Sequence, residues 1–348
     1  FAYGGNAVRA SKLDIRLDDS TLRGNIAVTN LDAKATSFDF ELDRIDLDRY
    51  RAPPEPAARA NEVTAPKSED SGPDPLKTLQ MNGTVSIGSA TVAGLLVTQV
   101  QVKLAAKDGI THIAPASAKL YGGEYAGEIT LDDAGRVPSM KLDQTMTSVD
   151  VAQLLKDLAH TQRLSGRGNV STHLTAQGRG SDAILRTLNG HVSADLANGA
   201  VEGLDLWFEI NRAISLIQQE ALPTGSGSGR TRFDVFKATA DLSNGVATTK
   251  DLSIVSQNLH IAGQGSTNLV TDAINYQLHA TVLKNADART ARADTLADIP
   301  LVVSGTASSP EIRPDLQAVA KAAVQQQLDK HKDELRQKVQ DTLKGLFK

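Results

Sequence analysis

The feature that most constrains this chain is a strand pattern that keeps returning with the same length and the same sidedness. Within Thr36 to Asp43, Phe38, Phe40 and Leu42 fall on one face, and Ser37, Asp39, Glu41 and Asp43 on the other. That period of two is the signature of a half-buried strand. Leu96, Thr98, Val100, Val102 and Leu104 oppose Gln99, Gln101 and Lys103 in the same way, and Val170, Thr172, Leu174 and Ala176 oppose His173, Thr175 and Gln177. Ile274, Tyr276, Leu278, Ala280 and Val282 repeat it against Asn275, Gln277, His279 and Thr281. Turn signals at Asp108-Gly109, Gly122-Gly123 and Asp132 to Gly135 are about a dozen residues apart. They imply strands of about ten residues, roughly 33 Å long, where five or six residues is typical.

Helical periodicity breaks this pattern in a few places. Asp150 to His160 predicts a helix with Val151, Leu154, Leu155 and Leu158 on one face, Asp150 as cap and Gly166 beyond its end. Ser181 to Leu188 reads as a short helix capped by Ser181 and stopped by Gly190. From His191 to Leu196 the alternation returns, with Val192 and Leu196 on the apolar side. Asn198-Gly199 then reads as a tight hairpin turn, followed by a brief strand to Gly203. Behind it Leu206, Ile210, Ile214 and Ile217, at spacings of four, four and three, predict an amphipathic helix that plugs or lids one end of the sheet. Trp207 and Phe208 open that helix as core contacts. Asn244-Gly245 is a second hairpin signal, and a last strand lies near Pro300 to Gly305.

Four segments follow. Residues 1–51 are strands, and 52–78 form a linker or long loop that holds six of the chain's twelve prolines. Residues 79–314 carry the main run of strands with inserted helices. Asp315 to Lys348 reads as one amphipathic helix, with Leu316, Val319, Val324, Leu328, Leu335, Val339 and Leu343 on its apolar face. It caps the last strand or rests on a membrane surface.

Roughly sixteen such strands, side by side at about 4.8 Å, span on the order of 75 Å. One face of that sheet must avoid water, at about 25 cal/mol per Å² of apolar surface. The predicted helices are too few to cover it. A second sheet would do so, giving a sandwich or solenoid. The other solution is a mainly β fold whose elongated antiparallel sheet curls around an apolar ligand. With aromatics at only 4% of residues, aliphatic side chains would line such a slot smoothly, and acyl chains fit it.

Composition excludes several function classes. A formal net charge of −4 offers no global attraction to a phosphate backbone, so nucleic acid is not an expected partner. With no cysteine there is neither a disulfide nor a thiolate metal site. No apolar run reaches the length of about 18 residues that suggests a membrane-spanning helix. The chain starts at Phe1 rather than Met and reads as a fragment, so the sequence leaves an N-terminal anchor or signal open.

No motif carries catalysis. The seven histidines, His112, His160, His173, His191, His260, His279 and His331, are scattered in sequence without metal-ligand spacing. Gly178-Arg179-Gly180 and Gly263-Gln264-Gly265 lack the remainder of a phosphate loop and suit sheet corners. Gly225-Ser226-Gly227-Ser228-Gly229 puts Gly where a nucleophile elbow needs Ser. The acidic run Asp39 to Asp48 is a wet strand face, and nothing selects a carboxylate pair for glycoside hydrolysis. The expectation is a non-enzymatic protein with no cofactor and no metal.

The chain resembles the C-terminal, periplasmic part of the bacterial AsmA family. The residues that carry this are Leu188-Asn189-Gly190, Gly199-Ala200-Val201-Glu202-Gly203-Leu204-Asp205-Leu206, Asn244-Gly245-Val246-Ala247-Thr248-Thr249-Lys250-Asp251-Leu252 and Ile299-Pro300-Leu301-Val302-Val303-Ser304-Gly305-Thr306. Ala118-Lys119-Leu120-Tyr121-Gly122-Gly123 and Ile45-Asp46-Leu47-Asp48-Arg49-Tyr50 add to it. The resemblance implies an inner-membrane-anchored periplasmic protein of Gram-negative bacteria, tied to outer-membrane biogenesis and related to chorein-type bridge-like lipid-transfer proteins. It implies phospholipid acyl chains as the ligand of an apolar groove, and the outer membrane or its assembly factors as further partners. The face residues named above, with Leu206, Ile210, Ile214 and Ile217 as plug, would then be the groove. A scaffold that assists outer-membrane protein assembly is the alternative.

Overall fold

The computed structural model describes residues 2–4, 6–31, 35–50, 80–218, 220–225, 227–283, 295–315 and 317–318. The Pro-rich segment, and the predicted C-terminal helix beyond Ala318, lie outside those residues.

The strands are β1 (Ala2–Gly4), β2 (Ala7–Leu17), β3 (Ser20–Asn30), β4 (Ala35–Asp46), β5 (Gln80–Val92), β6 (Leu95–Lys107), β7 (Ile110–Leu120), β8 (Gly123–Asp132) and β9 (Ser139–Asp150). They continue as β10 (Leu164–Gln177), β11 (Asn189–Glu202), β12 (Arg230–Ser243), β13 (Val246–Ser256), β14 (Leu259–Asn268), β15 (Ile274–Leu283), β16 (Thr295–Gly305) and β17 (Pro310–Pro314). A 3-10 turn (Leu47–Tyr50) follows β4, α1 (Val151–Ala159) follows β9, α2 (Gly180–Arg186) follows β10 and α3 (Leu206–Gln218) follows β11.

All seventeen strands belong to one sheet. Each pairs antiparallel with the next in the chain, except that β4 and β5 pair parallel. The fold is therefore mainly β, long and mostly antiparallel, and the sheet has no strong curl along its length. Tight reversals come from residue pairs in the left-handed region: Ala93-Gly94, Asp108-Gly109, Tyr121-Gly122 and Asn244-Gly245, as two-residue hairpins require.

This pairing sets where the helices go. The strands β4, β5, β7, β9 and β11 all end on the same long edge. The 3-10 turn, α1 and α3 therefore lie along that edge, and α2 lies on the opposite one. Some contacts skip strands: α1 touches β6 as well as its neighbours β9 and β10. α3 touches β12 as well as β16 and β17, and the Arg163 guanidinium, just before β10, donates to the Ser308 carbonyl between β16 and β17. At about 4.8 Å per strand, β10 and β16 would lie roughly 29 Å apart across a flat sheet.

Several local expectations are corrected. Asn198-Gly199 is no hairpin: β11 runs straight through it, pairing from Gly190 to Glu202 with β12. The left-handed φ of 53° at Asn198 serves an irregularity opposite Ser165–Arg167 instead. Gly190 sits inside β11 opposite Leu174 rather than ending a helix, and α2 ends at Arg186 with Thr187 as its C-cap. Ser181 lies within α2, whose N-cap Arg179 makes no side-chain cap bond. His160, at φ 52°, supplies the left-handed C-cap of α1, and Gly166 lies beyond it inside β10. Leu158 of α1 is exposed.

Candidate functional site

Register decides which apolar residues share a surface. Reading partners strand by strand, Ala10 faces Ile26, Ile26 faces Phe38, Phe38 faces Gly83 and Gly83 faces Leu104. The same lateral row continues through Ile113, Ile129, Leu142, Leu174, Gly190 and Leu242. It crosses from β2 to β12, ten strand spacings or about 48 Å, without one polar residue. Beside it runs a second row, Leu13, Gly24, Phe40, Val85, Val102 and Ala116. A third holds Leu22, Leu42, Ile87 and Val100. The rings of Phe38 and Phe40 stack with centroids 5.1 Å apart. On the other face Asn25, Asp39, Thr84 and Lys103 pair in the same manner.

Burial along these rows is uneven. Ile26, Phe38, Leu104, Ile113, Ile129, Leu142 and Leu174 are all half-buried. Towards the C-terminus the half of the sheet next to α3 is sealed, since Leu196, Leu259, Ile261, Leu278, Val282, Ile299 and Leu301 are each at most 4% exposed, whereas Ala247, Thr267 and Ile274, which continue the row beyond Leu242, are half-buried. The sealed residues form one cluster with Leu206 and Ile210 of α3, both fully buried, and Leu204, Trp207 and Ile214 pack against it.

The expected groove residues thus divide. Phe38, Phe40, Leu42, Val100, Val102, Leu104, Val170, Leu174 and Val192 lie half-buried in the open part. Leu196, Leu278 and Val282 are buried in the α3 cluster, with Ile274 and Tyr276 at its margin. Leu96 departs from the alternation and is 57% exposed. Gln99 takes a left-handed φ of 52°, and the β6–β7 register slips beside it. The phase of the strand changes there, so Leu95 and Val97 turn to the core instead. Ile217 lies in α3, but its side chain is outside the described residues.

α3 is held by named bonds. The Asp205 carboxylate caps it, Oδ1 accepting from the Phe208 N–H at 3.0 Å. Its Oδ2 accepts from the Ser228 N–H at 2.6 Å and from the Ser228 hydroxyl at 2.7 Å. One side chain therefore ties the start of α3 to the returning chain. Burial alone would push this carboxyl up, but the bonds from Ser228, Phe208 and Trp207 outweigh it and hold it below the usual carboxylate range. Buried Thr231 accepts from the Leu206 N–H at 2.9 Å and donates to the Leu204 carbonyl at 2.7 Å. At α1, the Tyr121 hydroxyl donates to Asp157 at 2.6 Å. Burial first, then that bond, pushes the phenol up to about 12.

Two sequence signals were missed. Ile45-Asp46-Leu47 and Val149-Asp150-Val151 each end a strand and start a helical segment, and Leu204-Asp205-Leu206 starts one just after β11 ends at Glu202; each Asp accepts from a backbone N–H two or three residues on. The second signal is Arg23-Gly24-Asn25-Ile26, repeated as Arg167-Gly168-Asn169-Val170. Asn25 clips the N–H of Lys12, and Asn169 that of Ser148. Lys12 and Ser148 are both left-handed bulge residues at φ 56°.

The polar face offers weaker features. Three open hollows of about 370, 320 and 380 Å³ indent it, the first lined by Arg23, Glu41, Ser86 and Gln101. Scattered in sequence, His173 and His191 are brought directly opposite each other, paired outward to Asp143 at 2.5 Å and Asp241 at 3.0 Å. The Asp143 carboxyl is held low by His173 and then Lys141. Among the described residues no cluster of three or more His, Asp or Glu is placed to hold a metal ion. No described helix is long and apolar enough to cross a membrane.

The model of the AsmA family matches residues 16–252, from the end of β2 into β13. No curated protein and no solved structure matches the chain.

Proposed function

The chain belongs to the AsmA family, and on that footing we propose that it binds phospholipid acyl chains along its apolar face and passes them along the sheet without chemistry. The family is linked in general to outer-membrane biogenesis and lipid transport, and to the cell envelope. The observation that carries the finer reading is the apolar row from Ala10 to Leu242, in register across ten strand spacings yet only half-buried through most of its length. Each acyl methylene moved from water onto such a surface gains about 0.8 kcal/mol. Against a bilayer interior the gain is close to nothing, because one hydrocarbon surface replaces another. A face of this kind neither traps a chain nor expels it, and with no polar group in the row it fixes no position. That is what passage needs and what a stereospecific site avoids.

In this reading the sheet bends further over its ligand than it does here, and the bond from Arg163 to Ser308, which draws the start of β10 towards the β16–β17 turn, supports such bending. The protein works in the periplasm, anchored at the inner membrane, and serves outer-membrane biogenesis. The test is mass spectrometry of lipid carried by the purified full-length protein, with photo-crosslinkers at Val100 and Leu174 against Gln101 and His173. Capture confined to the first pair is expected. Equal capture at both pairs refutes the face, and protein free of lipid favours a scaffold in outer-membrane protein assembly.

A further inference from the structure

We infer that His173 and His191 form a site for a divalent transition-metal ion on the polar face of the sheet, directly behind the apolar row. Four side chains lie in one lateral line across neighbouring strands. Asp143 of β9 faces His173 of β10, His173 faces His191 of β11, and His191 faces Asp241 of β12. The next residue along each of these strands, Leu142, Leu174, Gly190 and Leu242, belongs to the apolar row, so alternation sends all four polar side chains to the other face. Each imidazole is held from its outer side. The Nδ1–H of His173 donates to Asp143 at 2.5 Å, and that of His191 to Asp241 at 3.0 Å. An ionised carboxylate only accepts, so the proton sits on Nδ1 and the Nε2 lone pair is left for a ligand. Among the described residues neither Nε2 has a hydrogen-bond partner.

A carboxylate that fixes the tautomer and heading of an imidazole is the usual support of a metal-ligating histidine, and here it occurs twice, mirrored about the β10–β11 ladder. Cβ atoms of directly opposed residues are about 4.5–5.5 Å apart, close enough for two rings to share one ion at about 2.0–2.1 Å from each nitrogen. Counter-charge alone does not account for the arrangement, because Lys141 already gives Asp143 a cation at 2.8 Å. Two imidazoles and no cysteine suit zinc, copper or nickel rather than calcium or magnesium. Among the described residues no third His, Asp or Glu joins them, so water takes the remaining positions. The other histidines lack this setting: His112 lies opposite Ala105 and meets Thr130, and His279 lies opposite Ala262. The site also has a structural consequence. Gly190 puts no side chain into the row opposite Leu174, and a glycine inside a strand weakens it. An ion shared by His173 and His191 ties β10 to β11 at that point.

The test uses the full chain, purified without a polyhistidine tag, stripped of metal by chelation and titrated with zinc chloride by calorimetry. One ion per chain is expected. His173→Ala and His191→Ala should each weaken binding at least tenfold, and Asp143→Asn, which leaves both ligands in place, about tenfold. His112→Ala should leave it unchanged. With free zinc at ten times Kd, amides flanking Leu174 and Gly190 should exchange about tenfold more slowly, and in His191→Ala they should not respond. No binding to the unaltered chain overturns the site. So does binding that survives in both histidine variants, which places the ion elsewhere, and so does binding that His112→Ala weakens equally. Exchange that slows only on other strands overturns the tie between β10 and β11.

Discussion

The latch at Asp205 gives the sharpest prediction about the energetics. Asp205→Ala removes the N-cap bond to Phe208, which costs about 1 kcal/mol, and the two bonds from Ser228. Hydrogen bonds to a charged group are worth about 1.5–3 kcal/mol when shielded, but Ser228 is exposed, and solvent replaces much of that, leaving about 0.5 kcal/mol each. The sum is about 2 kcal/mol, close to a 30-fold change in the opening equilibrium of α3. Global unfolding is the wrong assay, because a long strand array need not unfold as one unit. Native-state hydrogen exchange resolves local opening. Amides of residues 208–216 should lose protection about 30-fold, while those of β6 and β7, far along the sheet, stay within a factor of two. Ser228→Ala keeps the cap and should give no more than about fivefold. The pH dependence follows from the lowered carboxyl. A depressed folded value means that the stabilisation is present in full above the ordinary carboxyl value near 3.9 and is lost as pH falls through the folded one. Opening of α3 in the unaltered protein should therefore rise only below about pH 4, and the variant should show no such step. Unchanged protection in Asp205→Ala would refute the latch, and with it the claim that one carboxylate ties the start of α3 to the returning chain.

Three further outcomes are expected. Val102→Asp puts a carboxylate in the open apolar face, at about 3 kcal/mol against hydrocarbon; lipid retained on purification should fall about 100-fold, whereas Gln101→Asp on the other face should leave it unchanged. Tyr121→Phe loses the bond to Asp157, about 1 kcal/mol. Because the phenol is raised, to about 12, that contribution is complete below pH 10 and disappears as pH passes 12, so the gap in melting temperature between the two proteins should hold to pH 10 and then close. At Gly83 an added Cβ would lie 2.4 Å from the Phe38 ring and from its carbonyl oxygen, so Gly83→Ala should destabilise by about 1–3 kcal/mol in urea titration; a neutral outcome would mean that β4 and β5 yield more easily than their pairing implies.

Much of this architecture was legible because strand alternation is a local signal. Phe38, Phe40 and Leu42 needed only their own neighbours to be placed on one face, and Asn244-Gly245 announced its hairpin. What was not legible came from partners. Asn198-Gly199 has the chemistry of a turn, yet the same left-handed φ serves a bulge when strands continue on both sides, and only register tells the two apart. Leu96 looked continuous with Val100 until Gln99 shifted the phase. His173 and His191 are eighteen residues apart, and nothing local says that they will sit opposite each other. The division of the groove residues by α3 was equally hidden, since Leu174 and Leu278 read alike in sequence and differ only in what a distant helix covers.

The repeated helix-capping Asp explains why that cover is graded along the sheet. Each of the three motifs caps a helical segment on the same long edge, so each is able to fold an apolar helix face over the sheet, and the length of the segment decides how far. After Asp46 the turn has four residues and buries none of them. After Asp150, α1 has nine residues and buries Val151 and Leu154, reaching about 13 Å at 1.5 Å per residue and covering only the edge near Leu120 and Val149. After Asp205, α3 has thirteen, about 20 Å, enough to reach the middle of strands roughly 33–46 Å long. The same capping device therefore leaves the face open at the N-terminal strands, trims its edge in the middle and closes the half nearest α3 at the C-terminal end. Lengthening α1 by one heptad that continues the Val151, Leu154 stripe should extend closure over β8–β10. Lipid capture at Leu142 should then fall to the level at buried Leu278, while capture at Phe40 stays as it was; if Leu142 remains open to lipid, helix length is not what sets the boundary.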